Sequence, residues 1–167
     1  MSSALISFPV GVVVARHKAR SPWLDVLWKP VSVLPGEPVA APWTPIDEAA
    51  DVTTFYAGHA MIELYRTETA NYRDNLASGA PLLWVVLRPV PAEPGLQLLA
   101  VIADPAEGEA LTGAGTDLVD TVPMPDSIRD TVAAFVAEYH VEQPHFRRRI
   151  DRTGLPERRG DGGPEDQ

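Results

Sequence analysis

The chain of 167 residues contains no cysteine. This absence excludes a disulfide framework, a zinc site with thiolate ligands, an iron–sulfur cluster and a cysteine nucleophile. Its four histidines form none of the HxH, HxxxH or HExxH spacings that metal sites use; they are His17, His59, His140 and His145. We therefore expect no metal site and no bound cofactor. His140 and His145 are assigned a structural role at a helix end, where polar side chains satisfy free carbonyl groups.

The chain also lacks an apolar run long enough to cross a bilayer, which takes about 20 residues. The apolar stretch 5–15 is interrupted by Pro9 and has no positive residue before it, unlike a signal peptide. We therefore predict a cytoplasmic protein in which this stretch is the first strand. Positive charge is scarce as well, since the chain has 14 Lys and Arg residues and 23 Asp and Glu residues. The formal net charge of −9 argues against binding to nucleic acid or to anionic membranes.

Sequence signatures of catalysis are missing too. The segment TGAGT at 112–116 lacks both the dinucleotide-binding spacing and the lysine of a P-loop. Ser78-Gly79 lacks the nucleophile-elbow pattern. Two acidic pairs are available for acid–base chemistry, but no pattern forces either into a pocket; they are Glu107 with Glu109 and Asp117 with Asp120. Residue chemistry therefore favours a protein without enzymatic activity.

The most informative stretch present is 61–87. Apolar and polar residues alternate imperfectly from Met61, which predicts a strand with one wetter face. Thr67 followed by Glu68 predicts a helix start, since a hydroxyl accepts from free amides and an acid suits the positive helix end. Gly79 and a following proline stop that helix. The apolar run 82–87 then predicts a central strand buried on both faces.

Further strands are predicted on both sides of this stretch. Residues 23–34 pair with the first strand as an antiparallel hairpin, and Pro30 must lie at an edge or a bulge. Prolines indicate a loop over 35–50, and a strand from Thr53 ends at residues 57–59. The second apolar run, 96–103, is expected to pair with 82–87. Asp104-Pro105 starts a short helix, and 118–122 adds an edge strand.

The C-terminal third contains the clearest helix. Apolar residues recur at helical spacing over 126–141, and Pro144 ends the pattern. Residues 147–167 hold six arginines against five acids, with too few apolar side chains to offset ordering entropy. We predict one α+β domain over 1–146, in which a mainly antiparallel sheet is packed by the C-terminal amphipathic helix and a shorter central helix. A disordered charged tail over 147–167 follows it.

Two groups of side chains are candidates for binding a partner protein. Three tryptophans lie in the proline-rich first third, where they can anchor a partner or serve in ordinary packing; they are Trp23, Trp28 and Trp43. Polar side chains crowd the central helix and its entrance, as on a docking surface or a solvated face; the candidates are Arg66, Glu68, Asn71, Arg73 and Asn75.

Three long segments resemble an uncharacterised bacterial family that is often encoded beside molybdenum-dependent formate dehydrogenase genes. They are PVGVVVARHKARSPWLDVLWKPVSVLPG, TTFYAGHAMIELYRTETANYRDNLASGAPLLWVVLRP and ADPAEGEALTGAGTDLVDTVPMP. The resemblance covers about residues 7–146. It implies an accessory protein that assists assembly or maturation of a formate dehydrogenase or related molybdoenzyme by binding an enzyme subunit or maturation factor. The alternative is a small-molecule or cofactor-binding enzyme of molybdopterin metabolism, in which residues 66–75 and 107–117 line a pocket.

Overall fold

The computed structural model describes residues 5–19, 22 and 26–141, which form seven strands, three α-helices and one short 3-10 helix. The α+β class and the antiparallel pairing are confirmed, and the strands divide between two sheets. In chain order the elements are β1 (Ile6–Lys18), β2 (Val26–Pro35), β3 (Thr44–Glu48), β4 (Val52–Leu64), the 3-10 helix (Arg66–Glu68), α1 (Thr69–Ala77), β5 (Leu82–Pro89), β6 (Leu96–Ile102), α2 (Pro105–Leu111), β7 (Leu118–Pro123) and α3 (Asp126–Tyr139).

The first sheet has the strand order β2-β1-β4-β3. The predicted hairpin of β1 with β2 is confirmed, and Pro30 lies on the outer strand beside a register shift. Val31 is the extra residue there, since Pro30 pairs with Val14 and Ser32 with Val13. A proline has no amide hydrogen to donate, so an edge strand next to a bulge is where the sheet tolerates it.

Two predictions for this sheet were wrong. The loop predicted over 35–50 contains β3, a short exposed edge strand that pairs with the first part of β4 despite Pro45. The two strands predicted on either side of 57–59 form the single strand β4. Ala57 is an extra residue in its pairing with β1, and Gly58 has a φ of +123°. A glycine at a bulge lets a strand bend and continue. From the sequence alone, Gly58 instead predicts the end of a strand.

The second sheet has the order β6-β5-β7, so the run 82–87 is its central strand and 96–103 pairs with it, as predicted. Leu83, Val85 and Leu87 enter the main core. Trp84 alternates with them and packs under α2, where Gly108 lies against its ring. A Cβ on Gly108 would come within 2.7 Å of three atoms of that ring. The glycine therefore allows the backbone of α2 to lie on the tryptophan.

The two sheets adjoin along two seams, β4 against β6 and β2 against β7. On the second seam, Lys29 Nζ on β2 lies 2.9 Å from Asp120 Oδ2 on β7. Valine and leucine side chains of both sheets meet in one core, which also receives Tyr72 of α1 and Phe135 of α3. Those two rings contact edge to face, with centroids 6.1 Å apart. The site described below lies on the seam between β4 and β6.

The helices follow the predictions except at two ends. The central helix was predicted to start with a hydroxyl cap at Thr67, but the Thr67 Oγ1 donates to the Glu68 carboxylate, and Arg66–Glu68 form a 3-10 helix before α1. The predicted C-terminal helix is α3, which ends at Tyr139, before Pro144. His145 and the proposed tail 147–167 lie outside the described residues. Within the described part of the chain, no helix has the length and apolarity to cross a membrane.

Candidate functional site

Two adjoining cavities open on the surface where β4 and β6 end. The smaller has a volume of about 110 Å³ and the larger about 410 Å³, and both are lined by Tyr65, Asp104 and Glu107. Glu63 adds to the first cavity and Glu68 to the second. We call this site the acidic cleft and define it by the residues Glu63, Tyr65, Glu68, Asp104 and Glu107.

Strand alternation supplies the wall on the β4 side. Ile62 and Leu64 are fully buried in the core, so Met61 and Glu63 point to the opposite face and line the smaller cavity. The Met61 side chain is 44% exposed. Across the seam, Ala100 and Ile102 of β6 line the same cavity. The cleft therefore combines an apolar floor with carboxylates around it.

Tyr65 links the end of β4 to α1. Its hydroxyl donates to Glu63 Oε1 at 2.7 Å, and its backbone N–H donates to the Tyr72 hydroxyl at 2.9 Å. Tyr72 is buried, and burial raises its pKa to about 12. The hydrogen bond to Glu63 is the main cause of the raised pKa of Tyr65. Both phenols therefore remain protonated at neutral pH, and they fix the chain where it leaves the strand.

The acids on the other side are positioned by α2. Asp104 is buried and caps this helix, because its Oδ1 accepts from Ala106 N at 2.9 Å. Pro105 at the first helical position suits the helix start. The first turn then carries Glu107 to the cleft. Opposite it, Glu68 accepts hydrogen bonds from Thr67 Oγ1 at 3.0 Å and from Asn71 Nδ2 at 3.2 Å.

The electrostatic character of the cleft is shown best by Glu107. Partial burial raises its pKa, and the charges of Asp104, Glu63 and Glu68 raise it further. Like charges raise a carboxyl pKa only when they lie near it, so Asp104, Glu63 and Glu68 lie close enough to disfavour the charged form of Glu107. Among the described residues no group of three or more acidic, histidine or cysteine side chains has the geometry to hold a metal ion. The cleft gathers carboxylates from β4, the 3-10 helix and α2 around two adjoining cavities.

The structure places the predicted tryptophans elsewhere. Trp28 and Trp43 contact edge to face with centroids 5.6 Å apart, and both contact Phe55. The Arg16 guanidinium lies over this group, 5.0 Å from the Phe55 centroid. Trp28 and Trp43 are half-buried against the core, and Trp23 lies outside the described residues. From Phe55 to the end of β4 at Leu64 the strand runs about 30 Å, so these rings are far from the acidic cleft.

The polar candidates of the central helix divide into four settings. Glu68 lines the cleft, and Asn71 supports it through the hydrogen bond described above. Arg66 lines a neighbouring cavity together with His140, whose Nδ1 lies 3.0 Å from Thr69 Oγ1 and thereby joins α3 to α1. Arg73 is exposed. Asn75 is buried and donates to Leu82 of β5 and to Ala103, just after β6, so it is out of reach of a partner.

Sequence reasoning missed Glu63, Tyr65 and Asp104 as members of one site. Alternation along β4 placed Glu63 on the wetter face, and Asp104-Pro105 indicated a helix start, but neither pattern shows that the two segments meet. The acidic pairs singled out earlier are split by the fold. Glu107 enters the cleft, whereas Glu109 accepts from Trp84 Nε1 at 3.3 Å. Asp117 pairs with Arg88, and Asp120 with Lys29.

Comparison with known proteins gave one match. A family model described as "Protein of unknown function (DUF3305)" matches residues 9–149. No curated protein and no solved structure matches the chain.

Proposed function

This chain belongs to the DUF3305 family of proteins of unknown function, and we propose that it is an accessory protein that acts by binding another protein. The partner is a subunit or a maturation factor of a formate dehydrogenase or related molybdoenzyme. The choice of enzyme rests on the family resemblance of the three sequence segments. The observation that supports binding is the acidic cleft, an accessible depression with an apolar floor and carboxylate rim.

Two of the side chains weighed earlier as catalytic groups, Ser78 and Asp117, have structural contacts. The Ser78 hydroxyl donates to the Asn75 carbonyl at 2.7 Å, at the end of α1. Asp117 receives two hydrogen bonds from the Arg88 guanidinium, at 2.9 and 3.0 Å. These contacts give Ser78 and Asp117 a role in holding a helix end and a loop, and neither residue lines the acidic cleft.

The proposal is tested by recovering the partner from the native organism. A tagged full-length chain, expressed at its native level, should co-purify with a molybdoenzyme component identified by mass spectrometry. A strain lacking the gene should lose most of its formate dehydrogenase activity and regain it on complementation. Unchanged activity in the deletion strain, together with purification of the tagged chain without any molybdoenzyme component, would defeat the proposal.

The second candidate is a cofactor-binding enzyme of molybdopterin metabolism. One observation favours it, because the larger cavity brings Glu68 and Glu107 together, one from each segment expected to line a pocket. The charge opposes it, since the cavity walls are acidic and molybdopterin and nucleotides carry phosphate groups. Thermal denaturation with panels of pterins and nucleotides separates the two functions. A saturable rise in melting temperature that the Glu68→Gln change alters would favour the enzyme.

A further inference from the structure

We propose that the acidic cleft binds an extended segment of a partner protein that carries arginine or lysine side chains. This inference rests on the proposed function and names the chemistry of the partner. The segment lies along the seam between β4 and β6, with its cationic groups at the carboxylates of Glu63, Glu68 and Glu107. The cleft contributes recognition through charge and shape, without a reaction.

Charge complementarity is the first argument for this occupant. The four acids come from β4, the 3-10 helix and the start of α2, and they line two adjoining cavities. Burial raises the pKa of Glu107, and the charges of the other three acids raise it further. Concentrated negative charge is costly, and a bound cation relieves that cost. Three ion pairs of the described residues involve acids outside the cleft. They join Lys29 to Asp120, Arg88 to Asp117 and Arg129 to Asp126.

The apolar floor selects a peptide over an inorganic cation. Met61 is 44% exposed and lies beside Ala100 and Ile102 in the smaller cavity. Arginine and lysine have long aliphatic stems that pack on apolar surface while the charged head reaches an acid. A planar guanidinium also donates two hydrogen bonds to one carboxylate. A floor of this kind beside Glu63 and Glu107 matches both parts of such a side chain.

The cleft extends far enough for more than one side chain. The cavities of about 110 and 410 Å³ adjoin, because Tyr65, Asp104 and Glu107 line both. Glu63 lines the smaller cavity and Glu68 the larger one, so cationic groups at two positions of a segment are accommodated. Asp104 caps α2 by accepting from Ala106 N, and its negative charge adds to that of the cleft.

Binding is measured by fluorescence anisotropy with the full chain and a fluorescein-labelled peptide of alternating arginine and leucine. The control peptide carries citrulline in place of arginine, which keeps shape and removes charge. The double variant Glu63→Gln with Glu107→Gln should bind the arginine peptide about tenfold more weakly or worse, because charge-assisted hydrogen bonds are lost. The matched control is Asp47→Asn with Glu48→Gln on the exposed edge strand β3, which changes the net charge equally.

The control variant should retain the affinity of the unchanged chain, and the citrulline peptide should bind weakly to all three proteins. Thermal denaturation of each variant reports whether it remains folded. Equal weakening in both double variants would assign the affinity to net charge and overturn the proposal. Displacement of the peptide by spermine at the same concentration of positive charge would likewise assign the cleft to a small polyamine.

Two other occupants are distinguished by further measurements. Replacement of Arg147, Arg148 and Arg149 by serine should leave peptide affinity unchanged. A tenfold gain would identify this chain's own segment as the occupant and overturn the assignment to a partner. Self-association that the cleft variant abolishes, seen by sedimentation, would assign the cleft to a second copy.

The cleft assignment and the proposed function can be refuted independently of each other. If a molybdoenzyme component co-purifies equally with the unchanged chain and with the cleft variant, the proposed function stands and the cleft assignment falls. If the arginine peptide binds through the cleft but the native partner is unrelated to molybdoenzymes, the cleft assignment stands and the proposed function falls.

Discussion

Asn75 joins three elements through one buried amide. Its Nδ2 donates to the carbonyls of Leu82 and Ala103 at 2.8 and 3.1 Å, and its Oδ1 accepts from Leu82 N at 3.0 Å. The side chain is only 5% exposed. It therefore ties the end of α1 to the start of β5 and to the chain just after β6, beside the acidic cleft.

Replacing Asn75 by alanine should lower the free energy of unfolding by about 2–4 kcal/mol, because buried carbonyl and amide groups lose their partners. The matched control is Asn71→Ala in the same helix, whose partly exposed amide donates to Glu68 and whose loss should cost at most about 1 kcal/mol. Urea denaturation of both variants measures the difference. Similar losses for the two would show that the network around Asn75 contributes little.

Gly108 is required by the close approach of α2 to Trp84. An alanine normally favours a helix by about 1 kcal/mol over glycine. Here its Cβ would overlap the indole ring, so Gly108→Ala should instead lower the free energy of unfolding by about 1–3 kcal/mol. Ala110→Gly, an exposed change in the same helix, measures the propensity alone and should cost at most about 1 kcal/mol. A rise in melting temperature for Gly108→Ala would contradict the packing argument.

At the scale of elements, continuous apolar runs and helical periodicity were sufficient to predict β5, β6 and α3. These signals are local, because a strand buried on both faces and an amphipathic helix each need characteristic neighbours in sequence. β3 and the middle of β4 were not predicted. Pro45 and Gly58 normally break strands, and only the register with a neighbouring strand shows that a bulge or an edge accommodates them.

The start of α2 is an element whose cap also shapes the acidic cleft. Asp104→Ala removes the acceptor for the Ala106 amide and should lower the free energy of unfolding by about 1 kcal/mol, within a range of about 0.5–2. Asp104→Asn keeps an acceptor at the cap and should retain most of the stability. Thermal and urea denaturation distinguish the variants. Equal destabilisation by both would indicate that the charge of Asp104, rather than its cap, stabilises the helix.

At the scale of the whole molecule, the acidic cleft exists because the sheets adjoin at the seam of β4 with β6. Glu63 and Glu68 precede Asp104 and Glu107 by about 40 residues, and β5 lies between them in sequence. No periodicity in the sequence encodes which sheet edges meet, so the site could not be predicted although its segments were. For the tryptophans the sequence left ordinary packing and partner binding open, and the structure shows Trp28 and Trp43 half-buried against the core.

The pH dependence of unfolding tests whether the cleft acids are coupled in the whole molecule. Because the folded state raises the pKa of Glu107, it binds a proton more readily than the unfolded chain does between the ordinary and the raised value. Stability from this group is therefore lost as pH rises through that window. Glu107→Gln has no such loss, so at neutral pH the variant should be more stable than the unchanged chain, by at most about 1 kcal/mol because the side chain is partly exposed.

Asp117→Asn is the control of opposite sign. The Arg88 guanidinium lowers the pKa of Asp117, so the unchanged chain gains stability above the ordinary carboxyl pKa and loses it as pH falls through the lowered value. The free energy of unfolding is measured by denaturant unfolding from neutral to acidic pH. At neutral pH it should be higher for Glu107→Gln than for the unchanged chain and lower for Asp117→Asn. Both differences from the unchanged chain should shrink as the pH falls. If Glu107→Gln lowers stability at neutral pH, the carboxylate is stabilised by the fold, and the cleft is not a site of mutual repulsion awaiting a cation.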